Sequence, residues 1–363
     1  MTIDSGLYRR TYRAKTGPMT DDLLFSSDSH VMEPSDIIAT RVPKRFRDQA
    51  PRFPQLKVGE GFQTHPGGSD PGRRIQEMAS DGVSAEVLYP TYALGLLGLE
   101  DAALQEACFR AYNDWLIEYC QVALDRLIGV PLIATYNMDH AVKELKRCAQ
   151  AGLRGALIWE VPPNKLSFDS DHYERFWAAA QDLEMPVSLH ILTGFGYARD
   201  RAGLQGIQRY RASVNLKLAE ATDILMDIIF SGVLERYPRL KIVLVENEIG
   251  WLPYVLEQWD YYFDRHRPVA PLTIDKLPSE YFNRQVYATF FNDSVGAHLL
   301  SWWGVDNCMW SNDFPHANST WPHSREVVAR DLGHLSPEAR AKIVRENVAR
   351  LYNTTIPEPM VTL

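Results

Sequence analysis

Asp28-Ser29-His30 sets a carboxylate and an imidazole two residues apart, and in an extended chain that spacing turns both side chains to one face. Three further stretches end an apolar run on the same kinds of group. These are Pro186-Val-Ser-Leu-His190; Lys241-Ile-Val-Leu-Val-Glu246, followed by Asn247 and Glu248; and Cys308-Met-Trp-Ser-Asn-Asp313, followed by Phe314-Pro315-His316. Any one of them alone reads more simply as a hydrogen-bonded core residue or a helix cap. Together they bring carboxylates from Asp28, Glu246 and Asp313 and imidazoles from His30, His190 and His316. Gathered on one rim, such charges cost several kcal/mol each unless a cation joins them. The chemistry implied is that of a divalent metal ion that lowers the pKa of a bound water and polarises a substrate carbonyl, with Asp313 or Glu246 as base.

Side chains so far apart in sequence need a scaffold that brings strand ends together. Short apolar, β-branched runs at 23–29, 84–89, 127–134, 154–159, 186–191, 241–246, 285–290 and 307–312 read as strands. Between them, apolar residues recur at helical spacing over 101–123, 139–151, 170–183, 215–231, 250–264 and 294–303. This alternation predicts parallel strands buried by crossover helices, and eight strands is the number of a (β/α)₈ TIM barrel. A doubly wound open sheet alternates in the same way but calls for a Gly-rich phosphate turn after its first strand, where this chain has Asp28-Ser29-His30. In a barrel the carboxyl ends of the strands form the active face, which is where all four candidate stretches end. Residues 1–20 read as an arm, and 44–76, rich in Pro, Gly and Arg, as a long loop insertion after the first strand. Ser336-Pro337-Glu338 is an N-cap with proline at N1 and opens a terminal helix to about Tyr352.

The 363 residues, 45% of them hydrophobic, suffice for one barrel with insertions, and no repeat or linker divides the chain, so 1–363 reads as a single domain. A formal charge of -8 without any Lys/Arg block argues against nucleic acid as partner and for a small-molecule substrate. No apolar stretch approaches the roughly 18 residues of a membrane span, so the expectation is a soluble, cytoplasmic protein. Cys108, Cys120, Cys148 and Cys308 lie far apart with no CxxC spacing and read as reduced, buried thiols.

The chain resembles the amidohydrolase superfamily, and within it the branch that includes aminocarboxymuconate-semialdehyde and resorcylate decarboxylases. The resemblance rests on Asp28-Ser-His30-Val-Met-Glu33-Pro34, Asp81-Gly-Val-Ser-Ala-Glu-Val-Leu-Tyr-Pro90, Gly152-Leu-Arg-Gly155, Ser231-Gly-Val-Leu-Glu-Arg-Tyr-Pro238, Ile249-Gly-Trp-Leu-Pro253 and Trp310-Ser-Asn-Asp-Phe-Pro-His316. It implies that Asp28, His30, His190 and Asp313 bind a divalent metal, zinc, manganese or iron, with Asp28 where many relatives carry His or Glu, and that the protein is a homodimer. Glu33 is a further ligand or a group that orients the ligands. The chain also departs from the pattern. The fourth strand, Arg154-Gly-Ala-Leu-Ile-Trp159, has no lysine to bridge two metals, and the sixth ends in Glu246-Asn247-Glu248 where decarboxylase relatives place a histidine.

Several functions follow from these residues. The first is a metal-dependent hydrolase or lyase working through the activated water on a small cyclic, aromatic or carboxylate-bearing substrate. A metal-dependent decarboxylase is an alternative. Another is O₂-dependent hydroxylation at a non-haem diiron centre, because Asp28, Glu246 and Asp313 beside the histidines make an oxygen-rich set for one or two ions. A catalytically dead barrel is the reading from a different class. Glu246 could instead sit in an ion pair with Arg154 or Arg284. His316 is a candidate catalytic or substrate-binding group, and Asn247, Trp310, Trp321, Tyr89 and Phe195 are candidates for lining a pocket.

Overall fold

The computed structural model describes residues 21–54, 65–196, 205–211, 217–270 and 272–355. Eight strands follow in order: β1 (Leu24–Val31), β2 (Val83–Pro90), β3 (Leu127–Gly129), β4 (Ala156–Ile158), β5 (Val187–His190), β6 (Ile242–Val245), β7 (Val286–Phe290) and β8 (Cys308–Trp310). Regular pairing is parallel throughout, β1-β2-β3 in one sheet and β4 to β8 in sequence order in the other. Backbone hydrogen bonds bridge both seams. Leu157 N donates to Pro131 O and Ile133 N to Leu157 O on one side, while Asp313 N donates to Asp28 O and His30 N to Phe314 O on the other. The architecture is the (β/α)₈ barrel. Every strand residue is buried, as expected when helices cover one face of each strand and the barrel interior the other.

Local chemistry sets where helices begin. Asp70 accepts from Gly72 N and Arg73 N to cap Pro71–Asp81, Asp101 caps Ala102–Cys120, and Asn137 caps Met138–Gln150. Gly82, at φ 76°, ends the first of these in the left-handed region and turns the chain straight into β2.

The structure corrects several boundaries. The stretch 44–76 is not loop throughout: its last residues belong to the helix Pro71–Asp81, whose polar, Arg-rich face hides the apolar spacing of Ile75 and Met78. Strands predicted at 127–134, 154–159 and 307–312 keep regular pairing over three residues each, since a tilted barrel strand leaves the ladder while its chain stays extended and buried. The helix predicted over 294–303 stops at Leu299. Two helices, Pro278–Gln285 and Ser324–Leu332, were not anticipated. Ser336 does cap the terminal helix, which runs from Pro337 through a wider π turn, Lys342–Glu346, to Leu351. The arm at 1–20 lies outside the described residues. All four cysteines are free and buried, and burial pushes the Cys108 and Cys120 thiols up to about 12. No helix among the described residues is long and apolar enough to cross a membrane.

Candidate metal centre

Asp28 and His30 stand at the end of β1, His190 ends β5, Glu246 follows β6 and Asp313 follows β8. Asp28, His30 and Asp313 are 0% exposed, His190 is 1% exposed, and the Glu246 side chain is 15% exposed. His30 Nε2 lies 3.4 Å from Asp28 Oδ1 and 3.5 Å from Asp313 Oδ1. His190 Nε2 lies 3.9 Å from Asp28 Oδ1 and 3.7 Å from Glu246 Oε2. Among the described residues, two overlapping groups have the spacing to hold an ion: Asp28, His30, His190 and Glu246, and His30, Asp313 and His316.

The protonation pattern makes this convergence intelligible. His30 Nδ1 lies 2.8 Å from Pro90 O and His190 Nδ1 2.9 Å from Ile191 O. A carbonyl only accepts, so both Nδ1 atoms carry the proton and both Nε2 atoms turn a lone pair inward. Burial holds the His30 imidazole well below its usual range and takes His190 down to about 4, in the latter case against the pull of the Asp28 carboxylate. Burial likewise raises the Asp28 carboxyl, with His190 and His316 opposing. The atoms His30 Nε2, His190 Nε2 and both Asp28 carboxylate oxygens have no hydrogen-bond partner among the described residues. Both atoms of each pair offer lone pairs only, so they cannot hydrogen-bond each other, and at 3.4–3.9 Å they repel if left alone. Donors about 2.1 Å from a shared ion lie roughly 3–4 Å apart, so a divalent cation fits this donor set.

Asp313 sits in the left-handed region at φ 53°, as do Leu192 after β5 (φ 68°) and Glu246 and Glu248 after β6 (φ 60° and 55°). Such backbone costs about 1–3 kcal/mol per residue and collects where function dictates geometry. Gly194 (φ 90°) closes the turn after β5 against the loop after β4, where a Cβ would lie 2.1 Å from Val161 O. His316 Nδ1 lies 2.8 Å from Asp313 Oδ1, and its Nε2 meets the Thr91 hydroxyl at 3.0 Å. Its ring stacks on His30 at 4.0 Å between centroids. Burial lowers the His316 imidazole.

A family model described as amidohydrolase matches residues 28–354, from the first of these acidic groups to the terminal helix. The chain belongs to this amidohydrolase family. It is 27% identical to the gamma-resorcylate decarboxylase of Rhodococcus jostii (strain RHA1) over 261 residues, 67% of this chain and 75% of that protein. With the decarboxylase orsB of Emericella nidulans it shares 28% identity over 240 residues, 58% of this chain and 68% of the relative. Among solved structures, a dihydroxybenzoic acid decarboxylase from Polaromonas sp. JS666, with bound manganese and the inhibitor 2-nitroresorcinol, superposes at TM-score 0.69 and 20% identity. That match covers 94% of this chain and all (100%) of that one.

Within this amidohydrolase barrel the remaining sequence candidates fall in different places. Glu33 accepts from Thr91 N, Tyr92 N and Ala93 N at 3.0–3.1 Å and so pins the turn that presents Thr91 to His316. Burial still raises its carboxyl to about 7. Tyr89 lies inside the barrel, its ring 5.5 Å from His190 and its hydroxyl 3.0 Å from both Ser188 Oγ and Tyr352 OH, so it forms a floor rather than a wall. Trp310 is 2% exposed within β8. Phe195 stands edge-on to Trp159, which also meets Tyr136, and these rings line the β4–β5 side. Trp321 packs on His65 and Phe314 and donates to Glu77 O. Asn247 is buried and its side-chain amide donates to Val245 O, while its backbone carbonyl accepts from Trp251 Nε1. The suggested partners of Glu246 are occupied elsewhere: Arg154 donates to Tyr352 O and Asn353 O, and Arg284 to Leu234 O and Gln285. Sequence reading missed Arg74, Glu86 and Asn312, which interlock behind the candidate ligands. Arg74 lay in a stretch read as loop, and a lone charge inside the apolar run of β2 was the available signal for Glu86.

Proposed function

We propose that this chain is a metal-dependent lyase of the decarboxylase kind, releasing carbon dioxide from a small aromatic carboxylic acid. The observation that carries the reading is the buried, mutually facing set of Asp28 carboxylate oxygens and His30 and His190 Nε2 atoms, without protein partners among the described residues and beside Asp313. The family's decarboxylases among its relatives support it. Asp28, His30, His190 and Asp313, with Glu246 at the mouth, would hold zinc, manganese or iron; the ion supplies Lewis acidity toward the substrate's oxygens. The protein's own part is proton handling in a dry site. Asp313 in its protonated form, with His316 Nδ1 2.8 Å from its Oδ1, delivers a proton to the ring carbon that bears the carboxylate and regains one from solvent after the product leaves. The bond to that carboxylate then breaks, its electron pair restores the aromatic ring, and carbon dioxide leaves. Thr91 keeps His316 in register, and Glu33 keeps Thr91 there.

A second reading is favoured by Glu246, which is less buried than the other ligands and 3.7 Å from His190 Nε2. As a general base it suits hydrolysis. As a ligand it suits a second ion, because the two groups of donors lie side by side, with His30 Nε2 serving one ion or the other, and two irons would open O₂-dependent hydroxylation. The deciding experiment measures metal content and carbon dioxide release from a panel of hydroxybenzoic acids. One ion per chain and metal-dependent release support the lyase; two irons with oxygen uptake, or ester and amide cleavage without release, overturn it. We also propose a single domain acting as a cytoplasmic homodimer on its small-molecule substrate; light scattering of the purified protein checks the dimer.

A further inference from the structure

We infer that Arg74 and Glu86 are positioning residues of the metal centre, a clamp that fixes from behind the two strand ends carrying His30 and Asp313. The inference rests on the metal reading above. Arg74 reaches in from the helix Pro71–Asp81 and is fully buried, as is Glu86 on β2. Its Nε donates to Glu86 Oε2, its Nη1 to His30 O at 2.7 Å and its Nη2 to Phe314 O at 3.4 Å. The guanidinium also lies 4.6 Å above the Phe314 ring. One planar group thus holds the main chain of a ligand, His30, and of the neighbour of another, Asp313.

The second Glu86 oxygen extends the hold. It accepts from Asn312 Nδ2 at 3.3 Å, while Asn312 Oδ1 accepts from Ser29 Oγ at 2.8 Å and from Phe314 N at 3.1 Å. Both neighbours of Asp313, and the residue between Asp28 and His30, therefore belong to one buried network. Asp313 needs that support, since its φ of 53° persists only where the surroundings over-determine it. A lysine could keep the charge of Arg74 but not the fork that reaches three acceptors at once. An ion pair that served stability alone would not need to end on the carbonyls of ligand-bearing strand ends.

The test uses the full chain stripped of metal and titrated with Mn²⁺ alone. Calorimetry gives the Kd, the Mn²⁺ electron paramagnetic resonance line shape reports ligand geometry, and thermal melting of the metal-free protein reports stability. Arg74→Lys and Glu86→Gln are expected to weaken Mn²⁺ binding about 10–100-fold and to broaden the spectrum. Arg340→Lys, at the remote pair with Asp22, should lower the melting temperature alone. If Arg74→Lys does not fold, Asn312→Ser leaves the ion pair intact and should still weaken binding about tenfold. Folded variants that bind Mn²⁺ as wild type does, with an unchanged spectrum, overturn the clamp. Wild-type protein that binds no Mn²⁺ overturns the metal reading, and the clamp falls with it.

Discussion

The β1–β8 side of the rim and the β5–β6 side hold their candidate ligands in different ways. On the first, Asp28, His30 and Asp313 are sealed, and a network through Arg74, Glu86, Asn312 and Ser29 ties their backbone together. On the second, His190 is oriented by a single hydrogen bond to Ile191 O, and Glu246 stands on strained backbone with a partly exposed carboxylate. On the metal reading proposed above, a rim built this way would fix the place of a cation from one side and leave the reaction to be tuned from the other.

The contrast can be broken by mutation, and the largest effects belong to the sealed side. His30→Ala and Asp313→Ala should each lower metal retention by at least about 100-fold, by elemental analysis after dialysis, and abolish turnover. Glu246→Gln should weaken metal by about tenfold or less while lowering kcat more than it raises KM, measured on the substrate found by the carboxylic acid screen. If it strips the metal as completely as His30→Ala, the division into a fixed and a tunable side is wrong.

Glu33→Gln exchanges a carboxylate facing three N–H groups for an amide that can turn only one acceptor toward them. It should cost about 1–3 kcal/mol in denaturant unfolding and reduce kcat through Thr91 and His316, with less effect on metal affinity. The last effect concerns Asp81, which lies behind Asn312 and Glu86, where Ser324 N donates at 2.9 Å and burial raises the carboxyl to about 6. With a pKa above that of the unfolded chain, the folded state binds the proton more tightly. Its contribution is therefore full at low pH and is lost as pH rises through about 6. Asp81→Asn should flatten the decline in unfolding free energy between about pH 4 and 7 relative to wild type, by at most about 3 kcal/mol, as measured by denaturant unfolding across that range. An identical pH profile would exclude that titration.

Much of this was legible in the chain. Asp28, His30, His190, Glu246 and Asp313 were readable because each ends an apolar run, and a buried strand end with a polar tip is a local pattern. His316 was visible through its spacing from Asp313. Arg74 was not, because its helix buries little apolar surface and its neighbours are turn-forming residues. The role of Tyr89 also escaped, since period and composition cannot tell a side chain at the mouth of a barrel from one packed beneath it.

The sequence by itself determined the parallel α/β alternation and the kinds of group available to a cation, since strand periodicity, helix caps and side-chain chemistry are properties of short segments. Only the tertiary structure decided which nitrogen of each histidine faces inward, because the carbonyls of Pro90 and Ile191 that set the tautomers arrive by folding. It alone joined Arg74 to strand ends 44 and 240 residues away, because a guanidinium chooses among acceptors by distance in space.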